Sequence, residues 1–448
     1  MMKADKARPT GSWSIATTVR APGFMVDFFV QHYLRIGCQE INVFFDDPGL
    51  ADINDQLRND PRVKIHLCDA DYWAGQCVAY PRESALRASH VEGRQYANYM
   101  KVQRETECEW VLNIDVDEIV YPRASVDSIL RAIPDNIFMI GLKPFEAVYE
   151  DLPEEEGVFE TQYFKSLIRN HSKSISMLYE ESLIPHKYGF WGHNVGKGFF
   201  RTSEPLRSLS CHFPKPVNRN LIEKFYTDRM DLLHFESMSF PLFLEKRLRR
   251  ITRKTYARGI SELTQNRLDL FARIYEEGGE PAALDLYSRM NVFSGERLKL
   301  ALESGFVVQR LIDSCYHKPE LKEEMHSFHN HVLVYDNETC FLKAVVPGSS
   351  YENQEIIRIH GEPQQSGLAY LYFEQDRETR YIFSDEKGRL VAYSKPQGQM
   401  FSLTRLSDSK FALSYEGSYL TVKPNGDVTV SAPAAKAWEH LSIVGGGQ

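Results

Sequence analysis

No stretch of this chain holds the roughly 18 consecutive apolar residues that a membrane-crossing helix needs, so a membrane span is not expected. The opening MMKADKARPTGSW carries charge but no apolar core of the signal-peptide kind, and a secretory leader is likewise not expected. No C-x-x-C pair occurs either. Seven cysteines, Cys38, Cys68, Cys77, Cys108, Cys211, Cys315 and Cys340, are scattered and odd in number, a spacing that suits neither a zinc ribbon nor a disulfide framework. Reduced, mostly buried thiols in a cytoplasmic protein are the expectation. Basic charge is also short, with 53 Lys and Arg against 61 Asp and Glu and a net charge of −8. A general nucleic-acid binder carries the opposite balance, and no nucleic-acid partner is expected.

What is present is the composition of a soluble globular protein. Hydrophobic residues are 43% of 448, enough to bury sizeable cores in two or three domains. The chain is organised around EWVLNIDVDEIVYP, Glu109 to Pro122. Trp110 to Ile114 reads as a short strand that drops directly into Asp115, Asp117 and Glu118. In an open α/β sheet the carboxyl ends of strands face the ligand crevice, so three carboxylates crowd the place where a substrate would sit. Asp115 and Asp117, two apart, can both aim oxygens at Mg²⁺ or Mn²⁺, and such an ion keeps coordination positions open for substrate phosphates.

Taken in order, WSIATTV predicts a first strand, ending at Arg20-Ala21-Pro22-Gly23, and the spacing of Met25, Phe28, Phe29, Tyr33 and Ile36 predicts a helix stopped by Gly37. INVFF is a second strand, ending in Asp46 and Asp47, and VKIHLC a third after a short helix at 51–58. Residues 70–89 read as a loop beside the site, in which Tyr72 and Trp73 either stack on a base or sugar or simply pack. GRQYANYMKVQRET predicts a helix that carries Arg94 and Asn98 on one face near its phosphate-favouring amino end. Residues 126–133 then read as helix and 138–142 as strand.

A general base has to come from somewhere other than the metal, and the acidic stretch 146–156 offers Glu146, Glu150 and Asp151. Further on, Gly196-Lys197-Gly198 and Arg201 predict a phosphate clamp that is not a P-loop, since the glycine spacing is absent. His193, His212 and His234 are candidate metal ligands. From Leu232 the sequence reads as helical, and its basic run from Lys246 to Arg258 faces phosphates, an anionic membrane surface or plain solvent. After about residue 328 the texture becomes short alternating runs joined by Gly and Asn turns, in three related hairpins. A small closed β architecture follows from that pattern, a β-trefoil first and a sandwich second, with Tyr372, Tyr415 and Tyr419 either exposed for binding or core.

In the order TTVRAP, QHYLRIGCQEINVFFDDP, RQYANYM, NIDVDE, GKGFFRT and LLHF, residues 13 to about 250 resemble the family 2-like glycosyltransferases of GT-A fold and D-x-D type. GSYLTVKPNGDV and AWEHLSIV are similar to the repeats of fascin-like β-trefoil modules. The resemblance implies an α/β GT-A domain with a Rossmann-like, mostly parallel sheet at 1–232, a helical extension at 233–327 and a β-trefoil-like domain at 328–448. It implies a nucleotide-sugar donor, most often a UDP-sugar, with Asp115 at the diphosphate, Asp46 at the nucleoside and Arg94 and Asn98 on the helix over it; Arg20, which stands where relatives have Lys-Asn-Glu, Asp47, Lys197 and Arg201 are further candidate donor contacts. The metal, Mn²⁺ or Mg²⁺, is implied at Asp115, Asp117 and His234, with His212 as the alternative late histidine. Transfer of a hexose with inversion to a glycan or glycolipid, in polysaccharide assembly at the inner membrane face, is the activity expected of such a chain. The rivals are a non-catalytic carbohydrate-binding or scaffold protein and a metal-dependent nucleotidyltransferase or phosphohydrolase.

Overall fold

The structure is a computed structural model that describes residues 8–77, 90–154, 157–167, 178–179, 189–252, 262–316, 324–347, 353–361, 367–375, 378–393, 400–407 and 410–444. Two compact units emerge: 1–122 with 141–217 and 230–317, and 123–140 with 218–229 and 318–448.

In the first unit the strands Trp13–Val19, Glu40–Phe45 and Val63–Leu67 form parallel neighbours, and Trp110–Asn113 pairs parallel to Trp13–Val19 on its other edge. The strand burial is almost unbroken from Trp13 to Phe45, as expected of parallel strands covered on both faces. Strand order therefore reverses beside Trp13–Val19, which creates a switch point between its carboxyl end and that of Trp110–Asn113. Gly198–Arg201 then adds antiparallel to Trp110–Asn113, and Met139–Val148, Tyr163–Lys165 and Val307–Gln309 continue the sheet outward. The α/β architecture with a parallel-rich sheet stands as read from the sequence.

Three local readings change. The run after Leu232 is not the start of a helix. Phe225–His234 is a strand, because its apolar Leu232 and Leu233 sit opposite Val120 and Ile119 of the strand Glu118–Pro122. The helix begins only at Phe240, after Ser239. Residues 70–77 are a short helix instead of loop, with Tyr72 N–H bonded to the Asp69 carboxylate in its first turn. Residues 78–89 of that predicted loop lie outside the described residues, as do 253–258 of the basic run. The break foreseen near Gly278 is present: Gly279 takes φ 64° inside the segment Glu262–Asn291, and Pro281 follows.

The helices after Phe240 bury an aromatic core of Phe243, Phe271, Tyr287, Phe293 and Trp191. Trp191 matters because it anchors the turn that carries Gly192 and His193. In the helix Gly23–Arg35, His32 is buried, its Nε2 2.8 Å from the Val120 carbonyl and its Nδ1 3.2 Å from the Tyr316 hydroxyl. Burial lowers its pKa from 6.5 to about 4. Between those values the unfolded chain takes up a proton that the folded chain refuses, so stability present above pH 6.5 is lost as pH falls toward 4. His32 alone accounts for about 3 kcal/mol of that loss. Urea midpoints at pH 7 and pH 4.5 are expected to differ clearly, and by less in His32→Gln.

Among its described residues the second unit is all-β apart from the helix Val126–Arg131 and one short turn of helix at Ala437–Glu439. Hairpins Val332–Asp336 with Phe341–Val345, Glu378–Ser384 with Leu390–Tyr393, and Ser418–Val422 with Val428–Ala432 match the three runs read from the sequence. Their core residues include alternate pairs: Leu333 and Tyr335, Leu342 and Ala344, Leu420 and Val422, Val428 and Val430. Tyr372 is buried and Tyr415 packs against this core, whereas Tyr419 is half-buried. The cysteines follow the expectation of buried thiols at Cys38, Cys68, Cys108, Cys211 and Cys315, with Cys340 exposed.

Candidate functional site

The acidic motif leaves the sheet at the switch point. Helix Val91–Glu105 runs back to the head of Trp110–Asn113, which sets its amino-terminal turns beside the carboxyl ends of the parallel strands. Arg94, Gln95 and Asn98 project from those turns. Arg94 Nε lies 2.7 Å from Asp46 Oδ1, and both side chains are buried. Asn98 donates to Thr18 Oγ1 at 2.8 Å and accepts from the Tyr72 hydroxyl at 2.6 Å. Trp73 is buried, with its Nε1 on the Cys68 carbonyl, so it packs and does not present a face. Gln95, which sequence reasoning passed over, donates to Asp115 Oδ1 at 2.6 Å.

Lys197 fills the other side of Asp115, its Nζ 2.8 Å from Oδ2 and 3.7 Å from Glu118 Oε2. The antiparallel run of Gly198–Arg201 explains both this contact and a correction. Arg201 sits opposite Trp110, at the amino end of that strand, so Lys197 falls at the crevice and Arg201 at the far edge of the sheet. There Arg201 pairs with Glu109 and lies 4.2 Å over the Trp110 ring, at the end of the strand opposite the crevice. Asp47 and Arg20 occupy the exposed rim, 3.8 Å apart.

Pairing of Glu118–Pro122 with Phe225–His234 places His234 directly opposite Glu118, and Phe235 N–H bonds the Asp117 carbonyl at 2.8 Å. Glu236, two residues on and so able to share a face with His234, lies 3.5 Å from its Nε2. That i, i+2 spacing was the available signal for Glu236. Lys246, from the basic helix Phe240–Ile251, bridges Asp117 Oδ2 at 3.1 Å and Glu236 Oε2 at 2.8 Å. Arg247 binds the other Glu236 oxygen at 2.7 Å. One member of the basic run thus reaches the acidic motif, and the next holds Glu236 beside it.

His193 completes the cluster. Its ring stacks on His234 with centroids 4.9 Å apart and meets His212 edge-on at 4.7 Å. His212 points its Nδ1 to the Gly196 carbonyl at 3.1 Å. Burial, then the neighbouring His234, His212 and Lys197, keep His193 neutral. Burial pushes the Glu118 carboxyl up to about 7 even though Lys197 opposes it. For Asp115 burial works the same way, yet the Lys197 charge and hydrogen bond outweigh it and hold that carboxyl well below its usual range.

The three acids considered as base end in different places. Glu146 is wholly buried, paired with Lys165 at 2.9 Å and accepting from the Trp191 and Gly192 N–H groups at 2.8 and 2.5 Å. Buried and held by three donors, Glu146 fixes the turn before His193 and is not placed to take a substrate proton. Glu150 and Asp151 are exposed at the end of the strand Met139–Val148.

The implied metal can be tested against the donors present. Among the described residues two sets of three donors lie within 4.8 Å of one another, Glu118 with His193 and His234, and Asp117 with His234 and Glu236. Asp115 belongs to neither. Its two oxygens are committed to Gln95 and Lys197, so the trio of Asp115, Asp117 and His234 does not fit an ion as arranged.

No protein-family model matches the chain. No curated protein matches it in sequence either. Among solved structures, one of GalNAc-T7 with UDP, GalNAc and Mn²⁺ aligns over 97% of this chain and 82% of its own, at 10% identity and TM-score 0.22. Another, the protein SeviL bound to asialo-GM1 saccharide, aligns over 27% of this chain and 94% of its own, at 10% identity and TM-score 0.21.

Proposed function

We propose that the chain is a glycosyltransferase that takes a sugar from a nucleotide-sugar, a UDP-sugar by preference, and passes it with inversion to a glycan or glycolipid hydroxyl. The observation that carries this reading is the switch-point crevice itself, where Asp46, Arg94, Asn98, Asp115 and Lys197 converge on the carboxyl ends of parallel strands. Its rim adds positive charge. Arg249 has its guanidinium pKa lowered by burial and, after the offset from Glu245, by Arg20 and Arg250, an assembly of like charges that a diphosphate would relieve.

In the proposed step the acceptor oxygen attacks the anomeric carbon and the bond to the diphosphate oxygen breaks. The nucleoside diphosphate leaves with the electron pair, stabilised by the rim cations, and the acceptor proton passes to a carboxylate. Glu150 and Asp151 keep the solvent access that this role needs. The β-rich unit, in our reading a β-trefoil, would hold the acceptor glycan.

Binding of the donor is tested by the shift in melting temperature on adding UDP, UDP-sugars, GDP-sugars and CMP-sugars. One nucleotide class is expected to stabilise the native chain, and Arg94→Met to abolish the shift, while Arg201→Met keeps it despite any loss of baseline stability. A chain that answers glycans alone and no nucleotide favours the non-catalytic carbohydrate-binding reading.

A further inference from the structure

The cations inside the site divide its carboxylates unequally. Lys197 neutralises Asp115 and reaches Glu118 only through Oε2. Lys246 stands between Asp117 and Glu236, so that donor set already encloses an ammonium group where an ion would lie. What remains is Glu118 Oε1, buried and with no hydrogen-bond partner, 3.7 Å from His193 Nε2. The other nitrogen of the same ring, Nδ1, is also buried without a partner. Glu118 is fully enclosed, His234 is 3% exposed, and only the His193 side chain opens outward, at 34%.

A buried carboxylate oxygen without a hydrogen-bond partner is costly unless something joins it, and Glu118 Oε1 stands in a set of three donors, Glu118, His193 and His234, that lie within 4.8 Å of one another. We propose that Glu118, His193 and His234 form a seat for one borderline transition-metal ion such as Zn²⁺, open to solvent or substrate on the His193 side. Two imidazoles and one carboxylate are a donor set that favours such an ion over Mg²⁺, and three protein ligands with a vacant fourth position are the arrangement of reactive zinc sites. The seat lies one residue beyond the D-x-D pair. It goes beyond the proposed transfer reaction, since the ion is assigned by donor geometry and is measured with no nucleotide present.

The test uses the full chain, freed of metal by a chelator and titrated with Co²⁺ followed by competing Zn²⁺. One equivalent of Co²⁺ is expected to bind with visible bands of low-symmetry coordination, and Zn²⁺ to displace it. His193→Gln is expected to weaken binding by at least about 10-fold, the scale on which even outer-shell partners act, whereas Asp115→Asn keeps the bands. Absence of Co²⁺ binding, or loss of it in Asp115→Asn with His193→Gln unaffected, overturns the assignment. A second reading needs no substitution: Zn²⁺ should slow acylation of His193 by diethyl pyrocarbonate, measured by peptide mass. An unchanged acylation rate at saturating Zn²⁺ also overturns it.

Discussion

Glu146→Ala is expected to destabilise the first unit by about 3–5 kcal/mol, the range for breaking a buried ion pair from one side. Lys165, 0% exposed, would lose its carboxylate and keep its charge in a setting where burial alone already disfavours it. The Trp191 and Gly192 N–H groups would lose their acceptor at the same time. Gly192 sits close to the site, since a Cβ there would stand 3.0 Å from Glu146, Glu236 and His234. The loosened turn should therefore carry His193 away from His234. Urea unfolding measures the first effect. Glu146→Gln, which keeps the shape and can still accept from one of the two N–H groups through its amide oxygen, is expected to cost less than Glu146→Ala.

Gly196→Ala is expected to disable the crevice without changing a single charged group. A Cβ at Gly196 would run into the Leu142 carbonyl carbon at 3.0 Å and overlap its oxygen outright, so the backbone must move. Leu142 N–H is bonded to the Lys197 carbonyl at 2.8 Å, and His212 leans on the Gly196 carbonyl, so the displacement reaches both. Overpacking of this kind costs about 1–3 kcal/mol. The larger consequence is functional, because Lys197 holds Asp115 and Glu118 at once. Loss of nucleotide-induced stabilisation is expected in Gly196→Ala. Gly75→Ala is the matched control, since among the described residues nothing outside its own helix and chain neighbours comes within 4 Å of the new methyl group.

How far the site was legible depends on what kind of interaction builds it. Parallel strands ending in Asp46 and Asp115 could be read directly, because continuous apolar runs and the residues that close them are local signals. Arg94 and Asn98 were legible as one helix face. The register of Phe225–His234 on Glu118–Pro122 was not, since pairing across more than a hundred residues leaves no periodicity to find, and LLHF suits helix and strand alike. Missing that register hid what it assembles: Glu118 opposite His234, and Glu236 beside it. Arg201 was misplaced for a related reason. Sequence proximity to Lys197 looked like membership of one clamp, but four residues of strand carried it to the opposite end of the sheet. The basic helix was read by its exposed charge, whereas Lys246 and Arg247 spend theirs on Asp117 and Glu236.

The central claim is that the crevice at Asp115 activates a nucleotide-sugar for transfer. Release of nucleoside diphosphate from a panel of nucleotide-sugars, followed with the native chain, Asp115→Asn and Lys197→Met in the presence of candidate glycan acceptors, tests it most directly. The account predicts acceptor-dependent release from one nucleotide class, reduced by at least about 100-fold in both variants, as for loss of a preorganised charged group in an active site. Release that is absent with every donor, or equal in the native chain and both variants, would contradict it.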